Sequence, residues 1–134
     1  MGEPLDQVSG ALAGILFYWR RGTYLAADPS IWWNGRSILQ EQTAFLAGIR
    51  AAGGRLAAPI RLLVQNSGRN CPMPPDASPT MLSRANGPGG AETAQVLSQV
   101  SGLEVMHTRF DEESHGSMLA PAITEALDFL QDQR

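Results

Sequence analysis

Apolar and polar positions along this chain follow two periods, and together they predict alternating helices and strands. The clearest helical period spans 36–52, where apolar residues recur on one face and two glycines follow. Short apolar runs bounded by Gly, Pro or Asp predict strands. Helices are predicted over 12–19, 36–52, 91–100 and 119–131, and strands over 23–27, 60–65 and 103–110.

This order of elements predicts an α/β fold. Strands that alternate with helices are joined by right-handed crossovers, so the three strands would lie parallel with helices flanking the sheet. A sheet of about three strands is thin, and one of its edges would lack a neighbour. The segment over 66–90 is rich in Pro, Gly, Ser and Asn, and its length is typical of a functional or poorly ordered loop.

Length and composition narrow the class of protein. The chain has 134 residues, of which 43% are hydrophobic and 17% charged, as expected for one globular domain over 1–134. Its net charge of −3 predicts neither a nucleic-acid partner nor an anionic membrane surface. The single cysteine, Cys71, predicts no internal disulfide. The early apolar run is short and is followed by Arg20-Arg21, so no signal peptide is predicted and the cytoplasm is the simplest location.

The candidate chemistry lies near the C-terminus, in Glu113-Ser114-His115-Gly116-Ser117. This stretch joins the last predicted strand to the last predicted helix, where α/β-hydrolases keep their catalytic base. The alternative is a loop histidine that caps the last helix. His107, on the last strand, is the second histidine, and no third ligand stands at a recognised spacing. The sequence therefore predicts no metal site and no cofactor.

Two motifs resemble a known family. The stretch Ala26-Ala27-Asp28-Pro29-Ser30-Ile31-Trp32-Trp33-Asn34 resembles the "ASPSxWW" segment of a family of serine esterases in the α/β-hydrolase superfamily. That family includes the enterobactin and bacillibactin siderophore esterases. The Ser-His-Gly-Ser stretch at 114–117 is similar to its "E(S/T)HGS" histidine loop. The resemblance covers nearly the whole chain and implies the C-terminal half of an α/β-hydrolase fold.

The resemblance assigns roles to particular residues. It implies that His115 is the catalytic base and that Trp32 and Trp33 line a substrate pocket, although packing at a strand-to-helix junction explains the tryptophans equally well. Ala11 stands where the nucleophilic serine is expected, and Ser9 lies two residues too early. The family's triad acid follows the strand aligned with 60–65, but Val64-Gln65-Asn66-Ser67-Gly68-Arg69-Asn70 contains no carboxylate.

Three interpretations follow. The first is a carboxylic-ester hydrolase acting on a small-molecule ester, siderophore-type esters being one substrate class. The second is a non-catalytic remnant of the hydrolase fold that binds a ligand or a partner. The third is an incomplete sequence whose upstream half holds the missing strands. Asn66, Ser67 and Gly68 end a strand at the edge where α/β sheets bind ligands, although a simple turn also explains them.

A half-sheet also predicts self-association. An uncovered apolar edge is stabilised by pairing with a second copy, so the purified chain is expected to form dimers or aggregates. Sedimentation equilibrium checks this expectation. A monodisperse monomer with a cooperative thermal transition would contradict it.

Overall fold

The computed structural model describes residues 15–19, 22–69, 73–85 and 87–132. Strands and helices alternate over most of this range, as the periodicity predicts. The strands are β1 Ile15–Trp19, β2 Thr23–Ala27, β3 Arg55–Ser67 and β4 Ser101–Phe110; the helices are α1 Trp33–Ala51, α2 Pro79–Ala85, α3 Gly90–Leu97 and α4 Leu119–Gln131.

One sheet carries the fold, with the strands in the order β1-β2-β3-β4. β2, β3 and β4 are parallel to one another, which confirms the predicted α/β class and its three parallel strands. β1 is antiparallel to β2 and was not predicted. The predicted helix over 12–19 is wrong over 15–19, and residues 12–14 lie outside the described residues. A run of five apolar or aromatic residues suits either element, and the free edge of β2 favours the strand by supplying hydrogen-bond partners.

The predicted strand over 60–65 is the second half of a longer strand. β3 begins at Arg55, and its pairing with β4 shifts register between Arg55 and Ile60. Its first residues are mostly exposed, whereas Leu63, Val64 and Gln65 are buried. Pro59 interrupts the strand pattern, because proline has no N–H to donate to a neighbouring strand, so the sequence reveals only the part that follows it. Likewise the long segment over 66–90 carries a short helix, α2, that no periodicity indicates.

The best-defined core lies between α4 and the parallel strands. Leu25 of β2, Leu63 of β3 and Phe129 of α4 form one buried cluster. Ala27, Met118 and Ala122 form a second cluster next to it. Because α4 repeats its apolar residues at helical spacing, it lays one face on the sheet. This packing fixes the start of α4 beside the end of β2.

A buried glutamine ties α4 to the sheet. Gln65 is 1% exposed, and its Nε2 donates to the carbonyl oxygen of Ala122 and to Oε1 of Glu125, both at 3.0 Å. Thr108 of β4 donates to the other Glu125 oxygen at 2.9 Å. A buried amide that is not hydrogen-bonded costs about 1–3 kcal/mol, so these bonds resist any sliding of the helix.

The side of α4 next to β2 carries exposed apolar side chains. Leu119, Ile123 and Leu127 are 44%, 46% and 53% exposed and line a groove together with Leu25 and Ala27. No helix in the described part of the chain has the length and apolarity needed to cross a bilayer. The self-association expected through an uncovered sheet edge stays a prediction.

Replacing Leu63 by Ala tests the core. Leu63 is fully buried, so removing its side-chain methyls should lower the free energy of unfolding by about 2–5 kcal/mol. Urea denaturation followed by circular dichroism measures the loss. Leu127→Ala is the matched control, because Leu127 is 53% exposed and should change stability by about 0.5 kcal/mol or less. Equal effects of the two variants would contradict this core.

Candidate active site at the carboxyl edge of the sheet

The parallel strands bring three chain segments to one edge of the sheet. Asp28 directly follows β2, and Asn66 and Ser67 are the last residues of β3. His115 lies five residues after β4, on the loop that leads into α4. The carboxyl ends of parallel strands are where open α/β sheets bind ligands. The fold therefore gathers these polar side chains at a place suited to chemistry.

Asp28 leaves the strand in an unusual conformation. Its backbone N–H donates to the Gln65 carbonyl oxygen at 2.6 Å, which extends the β2–β3 pairing by one residue. Its φ is 47°, in the left-handed region that few residues other than Gly, Asn and Asp adopt. Such backbone persists where surrounding contacts fix it. Here it accompanies a carboxylate that lies beside the end of β3.

The central contact of the site joins Asp28 to His115. Nδ1 of His115 lies 2.6 Å from Oδ2 of Asp28. A carboxylate only accepts hydrogen bonds, so the Nδ1 nitrogen must carry the proton and donate it. In the neutral ring, Nε2 then keeps its lone pair. The side chain of Asp28 is 17% exposed and that of His115 is 68% exposed, so the acid is sheltered while the ring faces solvent.

Residues at the end of β3 hold the Asp28 carboxylate. The Ser67 backbone N–H donates to Oδ1 at 3.1 Å, and its Oγ donates to Oδ2 at 2.8 Å. Nδ2 of Asn66 donates to Oδ1 over a longer 3.4 Å. Burial raises the pKa of Asp28, but the hydrogen bonds from His115, Ser67 and Asn66 together outweigh it and hold the pKa below its ordinary value of 3.8. Asp28 is therefore ionised at neutral pH.

Asn66 is itself held from two sides. Its Oδ1 lies 2.8 Å from Nε2 of His107, the exposed histidine of β4. Its amide also lies against Gly90 at the start of α3, where a Cβ would overlap it. The two contacts hold the Asn66 side chain between His107 and the start of α3.

Two serines shape the loop that carries His115. The Ser114 N–H donates to Oγ of Ser117 at 2.8 Å, and the Ser117 N–H donates to Oγ of Ser114 at 3.1 Å. These reciprocal bonds close a tight turn around His115 just before α4. Met118, the next residue, is 2% exposed and anchors the turn in the core.

Of the residues singled out in the sequence, His115 lies at this site. Trp32 is half-buried in the connection from β2 to α1, and among the described residues it does not line the small cleft beside His115. Trp33 begins α1, and its side chain lies outside the described part of the chain. Ser9, Ala11 and Cys71 also lie outside the described residues. Substrate binding by Trp32 and Trp33 stays a prediction.

Sequence reasoning did not assign Asp28 to the site. The resemblance implies an acid at the end of β3, whereas the carboxylate that contacts His115 comes from the residue after β2. One signal was available in the sequence, because Asp28 is an acidic residue directly after a predicted parallel strand. The sequence puts Asn66 and Ser67 at the ligand-binding edge of the sheet, and in the structure both contact Asp28.

Comparison with known proteins gives a distant similarity. The chain is 30% identical over 119 residues to the siderophore enterobactin esterase of Emericella nidulans, an alignment that covers 81% of this chain and 39% of that protein. The chain thus spans about two fifths of the relative's length. No protein-family model and no solved structure matches the chain. The similarity suggests an esterase-like family.

Replacing Asp28 by Asn tests the ionised state of this carboxylate. Because its pKa is lowered by folding, its contribution to stability is present above its ordinary value of 3.8 and is lost as the pH falls through the lower folded value. Asn tolerates the left-handed backbone, so Asp28→Asn removes mainly the charge. We expect it to destabilise the fold by about 1–3 kcal/mol at pH 7 and by much less near pH 3. Urea denaturation across this range measures both values.

Asp111→Asn is the control for that series. Asp111 is 75% exposed and forms a surface ion pair with Arg109, so its removal should change stability by about 1 kcal/mol or less at any pH. A loss in Asp28→Asn that stays constant from pH 7 to pH 3 would show that the charge of Asp28 does not stabilise the fold.

Proposed function

We propose that this chain is an esterase-type domain, over 1–134, in which His115 acts as a general base in the hydrolysis of carboxylic esters. The contact between His115 and Asp28 carries the proposal. It leaves the Nε2 nitrogen available as a base on an exposed ring at the ligand-binding edge of a parallel sheet. The similarity to a siderophore esterase supports ester hydrolysis over other base-catalysed reactions.

In the proposed mechanism the two ring nitrogens of His115 have different roles. Nε2 takes a proton from an attacking hydroxyl or water as its oxygen adds to the ester carbonyl. It then returns that proton to the departing alcohol oxygen as the tetrahedral intermediate collapses. Nδ1–H stays bonded to Asp28, whose negative charge stabilises the imidazolium formed between these two steps. Asp28 itself remains ionised throughout.

Two versions of this mechanism differ in the nucleophile, which is either a side-chain hydroxyl or water. With a hydroxyl nucleophile an acyl-enzyme forms, and a water activated by the same Nε2 then hydrolyses it. With water as the nucleophile the acid and alcohol form without a covalent intermediate. Ala11 has no hydroxyl at the position that the resemblance indicates. Labelling with a fluorophosphonate distinguishes the two versions, because the reagent bonds covalently to an activated serine and not to water.

We propose small-molecule esters as substrates, with siderophore-type esters as the first class to test. The support is the activity that the relative's name states, a siderophore enterobactin esterase. Trp32 and Trp33 are the proposed substrate-binding residues, because the resemblance to the esterase family implies that they line its substrate pocket. Aromatic side chains offer a large apolar surface against which a ligand can pack.

A second candidate is a non-catalytic protein of the same fold that binds a ligand or partner. Ala11 favours it, because a base without a serine at the expected position retains little of a triad's activity. In that case the His115–Asp28 pair would contribute to binding rather than to turnover.

Hydrolysis of a panel of short-chain p-nitrophenyl esters tests the proposal. We expect turnover by the wild-type chain, loss to background in His115→Ala, and a decrease on the order of 10²–10⁴-fold in Asp28→Asn. Glu112→Gln is the control, since Glu112 is an exposed loop residue three positions from His115. If wild type and His115→Ala both stay at background, the hydrolase proposal fails and the binding candidate stands.

A further inference from the structure

Within the described part of the chain, Ser67 supplies two of the four hydrogen bonds to the Asp28 carboxylate. Its backbone N–H donates to Oδ1 and its hydroxyl to Oδ2, at 3.1 and 2.8 Å. The third donor, Asn66, is more distant at 3.4 Å, and the fourth is His115 itself. One residue therefore contacts both oxygens of the acid. Two bonds to different oxygens fix the rotation of the carboxylate plane, which a single bond does not.

The Ser67 hydroxyl and the histidine ring share an acceptor. Both the Ser67 Oγ and the His115 Nδ1 donate to Oδ2 of Asp28. The direction in which this oxygen points thus depends on Ser67, and the direction of the ring depends on this oxygen. Because the His115 side chain is 68% exposed, few other contacts orient it.

Ser67 is well placed to define that direction. It is the last residue of β3 and pairs with Phe110 of β4. The following Gly68 donates its N–H to the Phe110 carbonyl oxygen at 2.9 Å. Gly68 also lies so close to Asp111 that no Cβ would fit there. The backbone around Ser67 is therefore held by the neighbouring strand and the start of the histidine loop.

We propose that Ser67 is a positioning residue of the site, which acts on His115 through the Asp28 carboxylate. The proposal rests on the proposed role of His115 as a base, but the effect of Ser67 on the orientation of the ring can be measured without ester hydrolysis. Adjacent strands then have complementary roles. Asp28, directly after β2, is the acid, and the last residues of β3 are hydrogen-bond donors to it. This accounts for a β3 end that carries no carboxylate of its own.

Ser67→Ala tests the proposal, with Ser67→Thr as the conservative variant. The alanine variant keeps the backbone donor and loses the hydroxyl, so Oδ2 is free to rotate away from the ring. The threonine variant restores a hydroxyl at the same carbon and suits a strand position. Ser101→Ala, at an exposed serine of β4, is the matched control.

Nitrogen NMR of the His115 ring is the decisive measurement. At about pH 8.5, above the usual histidine range, the ring nitrogen shifts report which nitrogen carries the proton. We expect the Nδ1–H form to dominate in the wild type, to decrease in Ser67→Ala, and to return in Ser67→Thr. An unchanged Nδ1–H fraction in Ser67→Ala would overturn the proposal, whether or not any variant hydrolyses esters.

Ester turnover provides the second readout. If His115 is the base, Ser67→Ala should lower kcat about three- to tenfold with KM unchanged, as expected for one lost hydrogen bond, and Ser67→Thr should recover it. A rise in KM with kcat unchanged would contradict a positioning role. Absence of turnover in the wild type, combined with the expected NMR change, would reject the hydrolase proposal and leave the positioning role of Ser67 intact.

Should Ser67→Ala not fold, Ser67→Cys retains a weak donor and is expected to give an intermediate Nδ1–H fraction.

Discussion

The parallel register of β2 and β3 is the constraint on which the candidate site depends. Ala27 pairs with Gln65, and the next backbone bond, from Asp28 to Gln65, brings the Asp28 carboxylate beside Ser67. A slip of one residue would turn every side chain of one strand to the opposite face. It would separate the carboxylate from its donors and move Gln65 away from α4. The pairing of β2 with β3 therefore determines the packing of the core, the position of α4 on the sheet and the geometry of the site.

The site also shows how a sheltered carboxylate is kept charged. Burial disfavours the ionised form, and an unbonded buried carboxylate would take up a proton. At Asp28 the donors of Ser67, Asn66 and His115 more than offset this cost, so its pKa falls below the ordinary value. An ionised acceptor is what a histidine needs if its Nδ1 is to keep the proton and its Nε2 is to act as a base.

The sequence predicted the α/β class, the three parallel strands and the last helix, although it indicated only the second half of β3. It did not predict β1, since five apolar residues fit a helix or a strand and only the neighbouring edge decides between them. It pointed to His115 by its place between the last strand and the last helix. It did not pair His115 with Asp28, because no periodicity states which strand ends are adjacent, and residues 28 and 115 are 87 positions apart.

The structure also bears on the simplest alternative for His115, a loop residue that caps the last helix. The turn before α4 is closed by the reciprocal bonds of Ser114 and Ser117, and the Met118 N–H donates to the Ser114 carbonyl oxygen. Met118 fills the core beneath that turn. The imidazole is needed for none of these contacts; it bonds to the carboxylate of Asp28, a left-handed residue directly after β2. Because no contact of the turn depends on the imidazole, its bond to Asp28 is the observation that supports the proposed role of His115 as a base.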